Sequence, residues 1–559
     1  MQRTAKHDHE SRYALAVARP VTSPRHDPAT AHLARLAAES APSGVSRRQA
    51  QGAHYTPPPM VDHLVSETLD AWRPARADWR AIDPACGSGN FLVALARELA
   101  HRFREPIERV VATRVFGVDV DPRAVELARE ALVALATDGS GASAEIREAI
   151  ERNIVVADAL AEPFAFSGEF DLILGNPPFL NQLERGTALA RERARAIAAA
   201  TNGAVTRYAD VAAAFLVTNL ARLAPDGRLG FVMPQSFLST GDSRRARDAA
   251  LDHAELRAIW SSAESHFEDA SVRVATLVFS RARLGRAPRR AWGCGFAPMA
   301  DAAAPPLRGD QSWSPLLADA FGAPVVTLRE AGSIGDIAHA TADFRDQYYG
   351  LAGAIATRDA LGADDPILVT TRHIDLARNA WGERPVRILG ARYERPVVER
   401  AALARDPAMQ RWLEARGVPK ILVATQTKVI EAWVDAQGTA LPLVPLVTVT
   451  PRDGADLWEI AAAVASPVVA ARALALYAGS ALSASAIKLS AKQLLAMPTP
   501  VDRDAWRASA AAFREASGAI DDDARRAALA RFAEISCDAH GLAPDERRDV
   551  LAFWRARSD

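Results

Sequence analysis

The chain has 559 residues, 67 basic and 68 acidic, for a formal net charge of -1. Single cores stop growing near about 250 to 300 residues, so at least two domains are expected, and the 49% hydrophobic and 24% charged content excludes wholesale disorder and fibrous repeats. Near-neutral charge announces no nucleic-acid partner, so any basic surface has to be local.

Residues 1–49 are rich in Arg, His, Ser and Ala without a sustained period and read as a loosely ordered arm. MQRTAKHDHESRY leads into no apolar stretch, so no secretory signal is expected and the protein reads as cytoplasmic. From Arg80 to Ser280, β-like runs alternate with helical ones, the signature of a doubly wound α/β sheet. The expected strands are Arg80–Cys86, Val115–Asp119, Ile154–Ala157, Phe170–Gly175, Arg228–Met233 and Ala275–Ser280. Helices are expected over Phe91–Phe103, Pro122–Leu135 and Asp210–Leu223, the last ending at Pro225-Asp226-Gly227. RARLGRAPRR (281–290) and Asp301–Pro306 read as a linker. Residues 310–500 carry mixed signals, with strand-like runs at Pro366–Thr371, Lys420–Thr425 and Leu441–Thr450, and the pattern is helical from Asp504 onward. Ile460–Ile487 has membrane length, but Pro467, Arg472 and its Ala/Ser content favour a buried helix, so no membrane partner is expected.

Cys86, Cys294 and Cys537 lie far apart and form neither a disulfide framework nor a zinc cluster, and no metal site is expected. Lys6, Lys420, Lys428, Lys488 and Lys492 are the only lysines, so nearly all basic residues are arginine. Such a bias reflects a GC-rich genome more often than a phosphate-binding surface.

AIDPACGSGNF (81–91) places a short strand, a glycine-rich turn and a helix start in succession. Gly87 and Gly89 let backbone approach a ligand, and the helix N-terminus offers free N–H donors. Asp119, ending the strand before GVDVDP runs out, is placed to accept both hydroxyls of a ribose, whereas Asp121 before Pro122 reads as a helix cap. Asp158 ends a third strand. In order with the other two it belongs to a cofactor pocket on the carboxyl edge of the strands.

FDLILGNPPFL (170–180) delivers Asn176-Pro177-Pro178-Phe179 at a strand end. The prolines stiffen the turn, so the Asn176 amide oxygen and the Pro177 carbonyl form a fixed pair of acceptors. Such a pair grips the two N–H bonds of a planar amine and aims its lone pair at an electrophile, while Phe179 stacks on the ring that bears it.

The ordered set GAHYTPPPMVDHLV, DPACGSGNF, GVDVDP, ADAL, GNPPF, YADVAAAF, GRLGFVMPQSFL and FEDASVRVATLVF, within residues 50–282, resembles the amino-group DNA methyltransferases of N6-adenine specificity. The resemblance is to the class in which YTPP precedes the glycine-rich motif. It implies an α/β, class I (Rossmann-like) domain over 50–300, a mixed α/β DNA target-recognition domain over 310–500 and a helical segment over 501–559. The implied cofactor is S-adenosyl-L-methionine. Thr56 would hold its methionine carboxylate, Asp83 and Gly87 would line its methionine end, Asp119 would bind the ribose and Asp158 the adenine ring, with Ala85, Asn90, Phe91 and Ala159 also among the cofactor-binding residues. Asn176, Pro177, Pro178 and Phe179 would form the acceptor site. Phe267 matches an aromatic beside the extruded base, with a core aromatic as the equal alternative.

Double-stranded DNA is the implied partner. Its candidate contacts are Arg372, Arg384, Arg387 and Arg392, grouped with Arg378, Arg395, His373, Trp381 and Tyr393; a solvated arginine face is the competing reading. Thr4, Val418, Gln426, Ala486 and Ser490 stand two positions before the five lysines, none acidic, so the common metal-nuclease pairing is missing and cleavage is expected from a separate restriction or defence subunit. N4-cytosine methylation, transfer to RNA or protein amines, and a non-catalytic specificity subunit remain the alternatives.

Overall fold

The computed structural model describes residues 56–137, 143–161, 163–179, 188–205, 210–264, 273–300, 307–308, 311–329, 332–343, 345–357, 365–478 and 486–558. The expected arm, Phe267 and the 301–306 part of the expected linker lie outside the described residues.

One nine-stranded sheet organises the first half. Its strands are β1 (Ala81–Asp83), β2 (Val115–Asp119), β3 (Ile154–Val156), β4 (Phe170–Gly175), β5 (Leu223–Pro234), β6 (Glu255–Ser261), β7 (Val274–Ser280), β8 (Arg289–Trp292) and β9 (Ala297–Pro298). They lie in the order β3-β2-β1-β4-β5-β7-β6-β8-β9. The first five run parallel, and β7 lies antiparallel between β5 and β6. Every residue of β4 is buried, as a parallel strand covered on both faces requires. Its side chains alternate between two cores. Ile173 joins the helix Val211–Ala221 on one face, while Leu172 and Leu174 join Pro58–Leu69, Asn90–Phe103 and Pro122–Thr137 on the other.

All six expected strands form, and three more, β6, β8 and β9, complete the sheet. β6 begins with Glu255 and Arg257, whose charges mask its alternation. β8 corrects part of the linker reading: Arg289 and Arg290 pair in register with Ala258 and Ile259 of β6, and buried Arg290 donates to the Leu316 carbonyl at 2.9 Å. The expected helix 210–223 ends earlier, at Ala221. Pro225-Asp226-Gly227 is instead an excursion inside β5, where pairing with β4 jumps from Phe170–Leu223 to Leu172–Arg228.

The second half contains two four-stranded sheets. One is antiparallel, in the order Ala338–Ala342, Val447–Pro451, Lys420–Ala424, Glu431–Asp435. The other joins Ile355–Thr357, Pro396–Val398, Ile367–Val369 and Ala440–Pro442. The apolar Ile460–Ile487 region forms two buried helices, Leu457–Ala465 and Pro467–Tyr477, bent by 51° where Pro467 cannot continue the first. Among the described residues no single helix is long and apolar enough to cross a membrane. The helices Arg503–Ser517, Asp522–Ala539 and Pro544–Ser558 are not a detached tail. Trp506, Phe513, Phe532 and Trp554 share one continuous core with Ile173 and Phe231 of the large sheet.

Candidate active site at the carboxyl edge of the sheet

β1 ends in Asp83, and the chain then turns through Gly87 (φ +53°) and Gly89 (φ +93°) into the helix Asn90–Phe103. Only glycine adopts these angles without strain. At Gly89 space is also short, since a Cβ would meet the Ala128 Cα at 3.1 Å. At Gly87 a Cβ would meet nothing within 4 Å, so the turn's outer side is open. Ala85 and Asn90 are half-buried beside it, whereas Phe91 is packed in the core beneath the turn and reaches a ligand only through the fold.

Asp119, ending β2, braces the turn. Its Oδ2 accepts from the Gly87 N–H at 2.9 Å and its Oδ1 from the Asp121 N–H at 2.9 Å. Burial raises its pKa above the usual carboxylate range, against those N–H bonds. Asp121 caps the next helix by accepting from the Arg123 N–H, as expected. Between the two, Val120 is 55% exposed. The sequence reading passed over this apolar edge residue, although its position between two acidic residues past a strand end was a signal.

Asp83 is 1% exposed, and its Oδ1 accepts from the Ala85 N–H at 3.0 Å. Loss of hydration pushes its carboxyl up to about 8, opposed by the Ala85 bond and reinforced by the nearby Asp119 charge. Gly175, ending β4, exists as glycine because a Cβ there would stand 2.4 Å from the Asp83 Oδ1. The glycine before Asn-Pro-Pro was thus a signal not used. Asp158 follows β3; its Oδ1 accepts from the Leu160 N–H at 3.0 Å, and Ala159 is buried.

Asn176 follows β4 directly, beside β1 with its Asp83. Its Nδ2 donates to the Thr56 Oγ1 at 3.0 Å, joining residues 120 apart in sequence. This bond fixes which way the amide faces: with the NH2 directed at Thr56, the Oδ1 is the atom presented elsewhere. Thr56 is buried, and its hydroxyl keeps a hydrogen to donate while accepting from Asn176. Pro177 is buried, Pro178 half-buried, and half-buried Phe179 packs against both cores of the large sheet.

The arginines of the second half divide into two sets. Arg384 makes a bidentate pair with Asp375, at 2.8 and 2.7 Å, and also donates to the Arg372 carbonyl at 3.1 Å, while its side chain stays 39% exposed. Arg378 pairs with Glu383 and Asp375, and the Arg395 guanidinium lies over the Trp381 ring. His373 is fully buried, bonded through its ring to the Arg384 carbonyl and the Thr370 N–H. Arg372, Arg387 and Arg392 are exposed. Arg387 and Arg392 sit directly opposite each other on the hairpin Val386–Tyr393, whose two-residue turn, Leu389-Gly390, has both φ values positive. Val386, Ile388 and Tyr393 pack the other face onto a separate apolar core, and the Leu389 N–H donates to the Tyr348 hydroxyl at 2.9 Å. Arg392 also pairs with Glu394.

Residues 44–289 match the family model described as N-6 DNA Methylase. The Type II methyltransferase M.VspI of Vibrio sp. (strain 343) is 25% identical over 206 residues, 37% of this chain and 42% of its own length. The Type II methyltransferase M.PaeR7I of Pseudomonas aeruginosa is 27% identical over 225 residues, 37% of this chain and 36% of its own. The chain thus spans less than half the length of these curated relatives. Among solved structures, the Type IIL restriction-modification enzyme MmeI in complex with DNA superposes with a TM-score of 0.62 over 96% of this chain and 82% of that one, at 14% identity. That likeness is one of fold, and it extends beyond the large sheet into the second half. The strand order and the ordered motifs on the carboxyl edge of the sheet lie within the region, residues 44–289, that is similar to the N-6 DNA Methylase family model.

Proposed function

We propose that the chain is a DNA methyltransferase that moves the methyl group of S-adenosyl-L-methionine to the exocyclic N6 of an adenine flipped out of the duplex, as the modification component of a restriction or phage-defence system without its own nuclease. The observation that carries this reading is the Asn176 amide, oriented by Thr56 at the end of a rigid strand beside buried Asp83.

The residues present fit the cofactor. Open space over Gly87, the buried Asp83 and half-buried Asp119 carboxyl groups and the exposed apolar Val120 suit a ligand carrying cationic groups, a ribose and a flat ring. In this assignment Asp119 takes the ribose hydroxyls, Asp158 and Ala159 face the adenine, and Thr56 donates to the methionine carboxylate while holding Asn176. When bound, the cofactor supplies a methyl group already activated by a sulfonium, so neither a covalent intermediate nor a metal is required. Orientation and electrostatics remain as the enzyme's task. The Asn176 Oδ1 and the Pro177 carbonyl accept the two amine hydrogens and favour a nitrogen with an available lone pair, while Phe179 stacks on the base. A base inside a duplex cannot reach this edge, so it is flipped, at a cost of a few kcal/mol offset by stacking and hydrogen bonds.

DNA is read by the second half. Like charges directly opposite on a hairpin destabilise it by some tenths of a kcal/mol, and a polyanion relieves that cost, which favours Arg387 and Arg392 as phosphate or base-edge contacts with Arg372 nearby.

The test is to incubate the protein with duplex DNA and labelled cofactor, then digest to nucleosides. Label in N6-methyladenine is expected, and Asn176→Ala should lose at least about 100-fold in transfer rate while calorimetry still finds cofactor binding. Label in N4-methylcytosine would replace the adenine assignment, and label only in RNA or protein would overturn the DNA reading.

A further inference from the structure

The turn after β5, Gln235–Leu238, follows the strand adjacent to the one that delivers Asn176. Gln235 is 1% exposed, yet among the described residues neither its Nε2 nor its Oε1 has a hydrogen-bond partner, and the buried Ser239 hydroxyl just beyond the turn has none there either. Only the Gln235 backbone is engaged, its N–H donating to the Arg273 carbonyl at 2.8 Å. Native structures rarely leave a buried amide unsatisfied, because doing so forfeits hydration without replacement. Such a group marks a place where something else binds.

Sheet order says what. Asp83 ends β1, Asp119 ends β2 and Asp158 follows β3, all on one side of β4, and β5 lies on the other. Gly175 and Phe231 are side by side, and Gln235 lies as far beyond Phe231 as Phe179 lies beyond Gly175. Gln235 therefore belongs to the acceptor's side of the edge, away from the cofactor's half. An amide offers one donor group and one acceptor, the complement of a nucleobase edge. With the exocyclic amine's hydrogens taken by Asn176 and Pro177, the adjacent ring nitrogen still needs a donor.

We propose that Gln235 contacts the flipped base, its Nε2–H donating to the ring nitrogen next to the amine that is methylated. This rests on the amino-group reading above. Gln235 thereby registers the base in the site and helps choose which amine-bearing ring is accepted.

The experiment uses the full chain, bacteriophage λ DNA and saturating cofactor. Gln235→Leu should slow single-turnover methylation at least about tenfold, leave calorimetric cofactor affinity unchanged, and raise the cofactor-free melting temperature by about 2 °C by removing an unsatisfied buried amide. Gln235→Glu should regain rate relative to wild type as pH falls from about 8 to about 6, since a protonated carboxyl restores a donor. A lowered melting temperature in Gln235→Leu, an unchanged rate, or a flat relative pH profile in Gln235→Glu would each overturn the base contact. Failure of wild type to methylate any DNA would instead strike the amino-group reading itself.

Discussion

Asparagine at position 83 should make the cofactor-free protein more stable while depriving it of its cofactor. The carboxyl titrates near 8 in the folded chain, against an ordinary 3.8, chiefly because burial strips its water. A folded-state pKa above the unfolded one means that the native state holds the proton more tightly, so stability is present below the ordinary pKa and is lost as pH rises toward 8. The loss is about 1.4 kcal/mol per pH unit, or on the order of 4 kcal/mol by pH 7 for this one group. Asp83→Asn keeps the oxygen that accepts from the Ala85 N–H and carries no charge to bury. Urea unfolding at several pH values is the assay: the midpoint advantage of Asp83→Asn should grow by about 3 kcal/mol equivalent between about pH 5 and 7, while calorimetry finds S-adenosyl-L-methionine binding weakened at least about tenfold. An advantage that does not change with pH, or unaltered cofactor affinity, would refute the reasoning.

Three further outcomes follow from the geometry. Gly175→Ala should displace the Asp83 carboxylate, whose oxygen lies 2.4 Å from the new Cβ, and cost about 1 to 3 kcal/mol of stability together with cofactor affinity; thermal melting and calorimetry check both. Arg384→Ala should lower stability by about 1 to 3 kcal/mol through the unpaired Asp375, whereas Arg387→Ala with Arg392→Ala removes a like-charge pair, should raise stability by some tenths of a kcal/mol and should reduce the salt dependence of DNA binding by about two counterions, measured by thermal melting and by titration at several salt concentrations.

The half proposed to be catalytic was legible because its motifs lie at strand ends. Runs such as FDLILG are apolar throughout when both faces are covered, so Asp83, Asp119 and Asn176 could be placed on one edge from the text alone. β6 was missed because Glu255 is held by the Leu284 and Gly285 N–H groups and by Arg257, a local arrangement that puts charge inside a strand pattern. β8 was missed because Arg290 runs through the interior to a carbonyl from the next segment. The arginine cluster was legible as composition only. Which arginines are committed to carboxylates depends on side-chain pairing, and the partnership of Arg384 with Asp375 carries no spacing signature. The Thr56–Asn176 bond is likewise a product of the fold, since each residue was read within its own motif.

The strand Lys420–Ala424 is covered on both sides: Ile421 and Val423 enter the core shared with the terminal helices and the large sheet, while Leu422 and Ala424 enter a small cluster with Val369 and Ile374. On the proposed function, sequence reading and chemistry would therefore be mounted on one frame. The modified base should fall a constant number of base pairs from the bases contacted by the hairpin, and an insertion between them in the recognised sequence should silence the site rather than shift it.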